Sequence, residues 1–373
     1  MSESRSTPGG LRLALDVGPV HVQPAGVGIY AASLARGLAS SMNGSLALIG
    51  VRTVTPALDS LALVDREPFR SPNYHSWLQL YADGQARRSR ARLVHYTNAA
   101  APLGTRLPYV LTVHDLSLVR LPGTHPVARL ATVPVMLWSL ARARAIVVPS
   151  DWTRRELERL TVARRRITVI PHAPAPVYGA EATDDVDPLA SLGLEEGRFV
   201  LAVGTLEPRK NLARLIEAFE LVAADYPELR LVLAGNPGWR YGPILERARS
   251  SAVAERIVFA GYQPPAALAT LTRSSGAVAY VSIYEGFGMP ILDAMSHGAA
   301  VVASNRTAMP EAAGGAAVLV DPFDPSDIAR GLRRALAERD TLVEAGRARA
   351  ARRSWDDVAA EHLEVYRWAL ERP

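Results

Sequence analysis

Twelve short apolar runs, most of them followed by turn residues and then a stretch with helical spacing, restrict this chain to one class of architecture. Six lie at residues 11–17, 46–51, 93–96, 109–114, 145–149 and 167–170, and six more at 199–203, 230–234, 257–260, 277–281, 300–303 and 317–320. Runs that are apolar throughout, rather than alternating, belong to strands buried on both faces. Strand and helix in regular alternation make those strands parallel. The repetition is of architecture and not of sequence. Between the two series, residues 172–197 begin His172-Ala173-Pro174-Ala175-Pro176-Val177-Tyr178, turn acidic and break the alternation, which reads as a hinge. The expectation is an α/β protein of two Rossmann-like domains facing each other across a cleft, residues 1–175 and 176–353. A closing helix over 354–373 follows, with an aromatic stripe of Trp355, Tyr366 and Trp368 that reads as core packing.

A length of 373 residues is comfortable for two such cores. The absence of cysteine removes disulfides, thiolate nucleophiles and cysteine metal sites from consideration, and suits a reducing cytoplasm. No apolar run approaches the roughly 20 residues that span a bilayer, and the start, MSESRSTPGG, lacks a signal-like apolar core, so a cytoplasmic location is expected. Residues 1–180 carry 21 basic and 10 acidic side chains and residues 181–373 carry 21 and 27, so the first half is the one that would meet an anionic surface. Within it Arg87, Arg88, Arg90 and Arg92 cluster before a strand. Arg129, Arg142 and Arg144 frame the apolar residues 130–140, interrupted by Pro134. These fit either a solvated helix covering the sheet or a weak contact with anionic lipid at the inner face of the membrane. No nucleic-acid partner is expected.

The chemistry concentrates at residues 280–299. The run 277–281 reads as a buried strand, and Pro290 suits the first turn of a helix. Between them Glu285-Gly286-Phe287-Gly288 forms a glycine-bearing turn, and a strand, turn and helix start of this kind aims backbone N–H groups and a helix dipole at an anion. Glu285 in the turn and Asp293 on the helix can both address the polar parts of a ligand whose phosphates occupy Gly286 to Pro290, an arrangement that suits a nucleotide sugar. A common turn followed by a dipole-compensating acid would leave the same local pattern. After the first strand of the second series comes Gly204-Thr205-Leu206-Glu207-Pro208-Arg209-Lys210-Asn211. Lys210 is the only lysine against 41 arginines, which suggests a site that a planar guanidinium would not fill. In the first domain Gly26 and Gly28 lie in the loop after the first strand, and His114 and Asp115 end a strand at the mouth of the sheet, where ligands of parallel sheets bind.

The run from Glu285 through Gly286, Phe287, Gly288, Met289 and Pro290 to Asp293-Ala294-Met295 resembles the signature of glycosyltransferase family 4, E-G-F-G-x-P-x-x-E-A-M, with Asp293 in place of the usual second glutamate. Gly204 to Lys210 resembles that family's diphosphate clamp, commonly G-R-x-x-x-x-K, with Thr205 at the arginine's position and Arg209 available as a substitute. Thr112-Val113-His114-Asp115 resembles its acceptor-domain histidine motif. The resemblance covers nearly the whole chain after the first ten residues. It implies the GT-B fold, with the closing helix crossing back to the first domain. It implies a donor site of Gly26, Gly28, Arg209, Lys210, Glu285, Gly286, Phe287, Gly288, Met289, Pro290 and Asp293, with His114, Glu285 and Lys210 in catalytic roles and no metal or cofactor.

Glu285 would meet the donor sugar, Asp293 the ribose, Lys210 the diphosphate, and His114 the region near the anomeric carbon. Glu311 is a lesser donor-side candidate. Transfer would retain configuration, with the departing phosphate helping to deprotonate the acceptor. The clamp variant and the His-Asp-Leu segment are most similar to bacterial mannosyltransferases of surface polysaccharide or glycolipid synthesis, which implies GDP-mannose as donor and a glycan or lipid-linked acceptor. A UDP- or dTDP-sugar is the alternative donor. An epimerase or phosphorylase on the same architecture, and an inactive nucleotide-sugar-binding scaffold, are the alternatives of other kinds.

Overall fold

The computed structural model describes residues 11–22, 26–42, 44–51, 58, 73–160, 166–175 and 187–371. Residues 176–186 of the expected hinge and Ala25 of the glycine loop lie outside them. The chain divides into two compact units. The first comprises Met1–Arg120, Val127–Ala175 and Arg353–Pro373, and the second Leu121–Pro126 and Pro176–Arg352.

The first unit is built on six parallel strands, β1 (Leu13–Asp16), β2 (Leu46–Ile49), β3 (Leu93–Tyr96), β4 (Tyr109–Thr112), β5 (Ala145–Val148) and β6 (Ile167–Val169), in the order β2-β1-β3-β4-β5-β6. The second is built on β7 (Phe199–Val203), β8 (Arg230–Ala234), β9 (Ile257–Gly261), β10 (Ala277–Tyr280), β11 (Val301–Ser304) and β12 (Val318–Val320), in the order β12-β11-β10-β7-β8-β9. Every adjacent pair is parallel.

Why these runs became strands is visible in the core. Phe199, Val200 and Leu201 of β7 are all fully buried, so both faces of the strand are covered and no polar residue is needed on either. Burying one such side chain contributes roughly 2 kcal/mol.

The strand orders position the ligand sites. In the second sheet the chain proceeds from β7 to β8 to β9 on one side, then returns to place β10 on the other side of β7. The loops after β7 and β10 therefore leave neighbouring strand ends in opposite directions and open a crevice between them. In the first sheet the same reversal lies between β1 and β3.

Local sequence sets the helix starts. Pro290 occupies the first turn of the helix Met289–Ser296, and Gly288 before it adopts φ 108, a backbone conformation that favours glycine. Ser150 caps the helix Asp151–Glu158 by accepting from the Thr153 N–H at 3.0 Å. The basic stretch is two helices, Val127–Leu130 and Val133–Arg142, and the break falls just before Pro134.

Candidate active site

The loops after β7 and β10 bring together residues that are 75 positions apart in sequence. The Lys210 Nζ donates to Glu285 Oε1 at 2.8 Å and to the Tyr280 hydroxyl at 2.9 Å. Arg209 Nη1 donates to Glu285 Oε2 at 2.7 Å and to the Tyr284 carbonyl at 3.0 Å, and its Nε donates to Glu207 at 3.1 Å. One carboxylate thus bridges two cations.

Burial alone would push the Glu285 carboxyl up, but Arg209 and then Lys210 reverse this and hold it at about 2. Burial likewise disfavours the Lys210 ammonium, and the attraction of Glu285 outweighs it, so the lysine stays charged. Tyr280, pushed up to about 12 by burial, remains a neutral hydroxyl beside it.

The backbone explains why this group assembles. Pro208–Lys210 form a single 3-10 turn, and Asn211, at φ 62, ends it before the helix Leu212–Ala223 begins. The Asn211 side-chain amide donates to the Val281 carbonyl at 3.1 Å and the Pro322 carbonyl at 2.6 Å, which ties the loop after β7 to the ends of β10 and β12. Gly204 leaves room for the lysine stem, since a Cβ there would lie 3.3 Å from Lys210 Cε. Gly235 abuts the same turn so closely that a Cβ would fall 2.1 Å from the Gly204 carbonyl oxygen.

Among the residues the sequence singled out, Lys210, Arg209 and Glu285 form this one group, so that a second cation stands beside Lys210 at Arg209, while Thr205 is exposed. Gly286 to Pro290 follow directly as the turn and helix start. The Phe287 and Met289 side chains are buried, so what this turn can offer a ligand is its backbone. The Glu285 N–H is not open to a phosphate, because it donates to the Thr307 hydroxyl at 3.1 Å. Asp293 is half-buried on the helix Met289–Ser296, where its carbonyl accepts from His297. Glu311 sits in the first turn of the helix Met309–Ala313.

In the first unit, Gly26 is exposed at φ 56 and its carbonyl accepts from the Tyr30 N–H, starting the helix Val27–Met42. Gly28, expected in the loop, is buried inside that helix; the loop ends earlier than the glycine spacing suggests. His114 is half-buried just past the end of β4, and its Nε2 lies 2.9 Å from the Thr97 carbonyl oxygen. A carbonyl only accepts, so Nε2 carries the proton and Nδ1 is the ring's acceptor. Burial lowers the imidazole to about 4, against weaker upward pulls from that hydrogen bond and from Asp115, and keeps it neutral at pH 7. Asp115 accepts from the Ser117 N–H and hydroxyl and so caps the next turn.

Sequence reasoning passed over Tyr280, which looked like strand core, and Glu207 and Thr307, whose roles depend on a partner from another loop. Among the described residues, no helix is long and apolar enough to cross a membrane, and no group of three or more His, Asp or Glu is arranged to hold a metal ion.

Two family models match the chain: one described as Glycosyltransferase Family 4 over residues 24–173, and one described as Glycosyl transferases group 1 over residues 189–352. The chain is 32% identical over 268 residues to O-antigen chain mannosyltransferase B of Escherichia coli, covering 69% of this chain and 70% of that protein. It belongs to glycosyltransferase family 4. As a family 4 glycosyltransferase it is also 31% identical over 289 residues to a D-inositol 3-phosphate glycosyltransferase of Nocardia farcinica, covering 71% of this chain and 62% of that one. The family's GT-B fold is matched by sucrose-phosphate synthase from Thermosynechococcus elongatus (TM-score 0.71, 21% identity, 96% of this chain and 98% of that one). Anabaena HepE in complex with UDP and glucose matches equally well (TM-score 0.71, 17% identity, 95% and 99%).

Proposed function

We propose that this glycosyltransferase moves mannose from GDP-mannose to a hydroxyl of a glycan or lipid-linked acceptor of surface polysaccharide, with retention and without a metal. The observation that carries the reading is the pair of cations, Lys210 and Arg209, held together by Glu285 at the switch point of the second sheet. Breaking the bond between the anomeric carbon and the diphosphate leaves the electron pair on a phosphate oxygen. Fixed cations stabilise that charge more in the transition state than in the substrate, which is the property that accelerates the step. The acceptor hydroxyl forms the new bond on the same face, and its proton goes to the departing phosphate. Glu285 accepts from sugar hydroxyls, Asp293 from the ribose, and the backbone of Gly286 to Pro290 donates to phosphate. His114 Nδ1 accepts from the donor sugar. The resemblance to the family's glycine-rich loop supports a contact of the exposed Gly26 with the donor phosphates and the acceptor, whereas Gly28, buried in the helix Val27–Met42, is left out of that contact.

The mannosyl donor rests on the likeness to O-antigen chain mannosyltransferase B, and pocket contacts decide base and sugar. A lipid-linked acceptor fits a weak contact of residues 127–144 with anionic lipid at the inner membrane face. Val127 is 83% exposed there, and Arg142 lies over the Trp138 ring at 4.9 Å. The test is GDP release and product analysis with GDP-mannose and an α-mannoside acceptor, in EDTA. An α-mannosyl product in EDTA supports the reading. Turnover confined to UDP- or dTDP-sugars would overturn the donor, a metal requirement would overturn the clamp, and binding without turnover would favour a scaffold.

A further inference from the structure

Behind His114 the first unit contains a run of buried polar groups whose hydrogen-bond directions are all determined. His362, on the C-terminal helix Trp355–Glu371, has its Nδ1 2.7 Å from the Val358 carbonyl oxygen. That oxygen can only accept, so Nδ1 donates. Burial holds the imidazole neutral at pH 7, with its value lowered to about 4, so Nε2 must accept. Its partner is the Tyr30 hydroxyl at 2.9 Å, which therefore donates. With its proton committed, the Tyr30 oxygen accepts from the Thr112 hydroxyl at 2.9 Å. Thr112 in turn accepts from His95 Nε2 at 2.7 Å, and His95 Nδ1 accepts from the Tyr366 hydroxyl at 2.7 Å. The circuit leaves the C-terminal helix at Tyr366, crosses β3, β4 and the helix Val27–Met42, and returns to the C-terminal helix at His362. Each link has one donor and one acceptor, and Tyr30, Thr112, His95, His362 and Tyr366 are buried.

The circuit fixes one ring in particular. The Tyr30 ring stands edge-on to His114, with centroids 4.7 Å apart and planes at 82°. His172 packs on the same ring at 4.9 Å. The two helices that carry the circuit are drawn close by Gly37, where a Cβ would lie 2.7 Å from the Trp355 carbonyl oxygen.

We propose that Tyr30 is a positioning residue for His114: its ring, locked through its hydroxyl to His362 and Thr112, sets the imidazole plane and so holds Nε2 on the Thr97 carbonyl, which leaves Nδ1 as the acceptor used in transfer. This rests on the proposed role of His114, and the experiment separates the two. A buried circuit with every member satisfied is rigid, and rigidity behind a reacting group is worth rate, because a misplacement of about 1 Å costs on the order of a hundredfold.

The test is a cycle of Tyr30→Phe, His114→Ala and the double variant, read as kcat and KM for GDP release from GDP-mannose below each variant's unfolding transition. The expected result is a kcat about tenfold lower for Tyr30→Phe with KM unchanged within about twofold, a larger loss for His114→Ala, and no further loss in the double variant. His362→Gln keeps an acceptor for the Tyr30 hydroxyl and should retain most of the wild-type kcat, whereas His362→Leu should behave as Tyr30→Phe does.

Unchanged kcat in Tyr30→Phe, a change confined to KM, or losses that multiply in the double variant would overturn the proposal. A wild-type kcat in His114→Ala would overturn the role of His114 and this inference with it. Independently of turnover, ring-nitrogen NMR should show one Nε2–H tautomer for His114 in wild type and a mixture in Tyr30→Leu. An unchanged single tautomer in Tyr30→Leu would also overturn the proposal.

Discussion

Replacing Glu285 by Gln removes one negative charge from between two cations and keeps the shape. The carboxyl is held at about 2 against an ordinary 4.5, a difference that corresponds to about 3 kcal/mol of native-state stabilisation. Because the folded value is depressed, that stabilisation is present in full above about pH 4.5 and is lost as pH falls toward 2. At neutral pH, Glu285→Gln should therefore lower the stability of the second unit by about 3 kcal/mol, or roughly 6–12 °C in its melting temperature for a unit of this size. GDP should behave oppositely. In wild type the diphosphate competes with the Glu285 carboxylate for Lys210 and Arg209, whereas in the variant Lys210 faces no carboxylate and Arg209 keeps only Glu207 as its anionic partner. GDP should then bind about tenfold more tightly to Glu285→Gln and restore much of the lost stability, while turnover of GDP-mannose falls. Thermal unfolding and titration calorimetry at low ionic strength measure both effects. A variant as stable as wild type, or one that binds GDP more weakly, would refute the reasoning that Glu285 holds the clamp in place of a ligand.

Burial holds His114 and His362 at about 4 and drives His95 and His172 well below the ordinary 6.5. As pH falls from 6.5 toward 4 the unfolded chain takes up protons that the folded unit refuses, so stability should be full above 6.5 and drop by up to about 3 kcal/mol for each of His114 and His362; His362→Gln should make the pH dependence of unfolding shallower. Lys210→Arg keeps the charge, but a forked guanidinium must enter the slot between Gly204 and the Tyr280 ring, 4.8 Å from Nζ, so calorimetry should show at least a tenfold loss of GDP affinity. Gly37→Ala would force a Cβ to 2.9 Å from the Ala359 Cβ and should cost about 1–3 kcal/mol in thermal unfolding by pushing the C-terminal helix outward.

The strands were legible because a strand buried on both faces is written as a continuous apolar run, as Phe199 to Val203 shows. Glu285 and Lys210 were legible as candidates because each sits beside a glycine-bearing turn at a strand end, where chemistry in parallel sheets collects. Their pairing with Arg209 depends on the reversal of strand order between β7 and β10, a property of topology that no local window contains. The circuit through Tyr30 and His362 was illegible for the same reason at longer range, since those residues are 332 positions apart and meet only when the last helix packs on the first unit. Conformation was the other blind spot. Asn211 and Thr307 take positive φ values of 62 and 56, and nothing in the neighbouring residues requires them to.

The most direct test of the central claim, that Lys210 and Arg209 form a metal-free diphosphate clamp, is the thermal shift of wild type and Lys210→Ala with GDP, UDP, ADP and dTDP and their common sugar conjugates, in EDTA and in magnesium. A ligand at a hundredfold its Kd stabilises by about 2.7 kcal/mol, which such a measurement resolves. The account predicts that GDP and GDP-mannose stabilise wild type equally in EDTA and magnesium, and that Lys210→Ala loses most of that gain. Stabilisation that requires magnesium and survives in Lys210→Ala would contradict it.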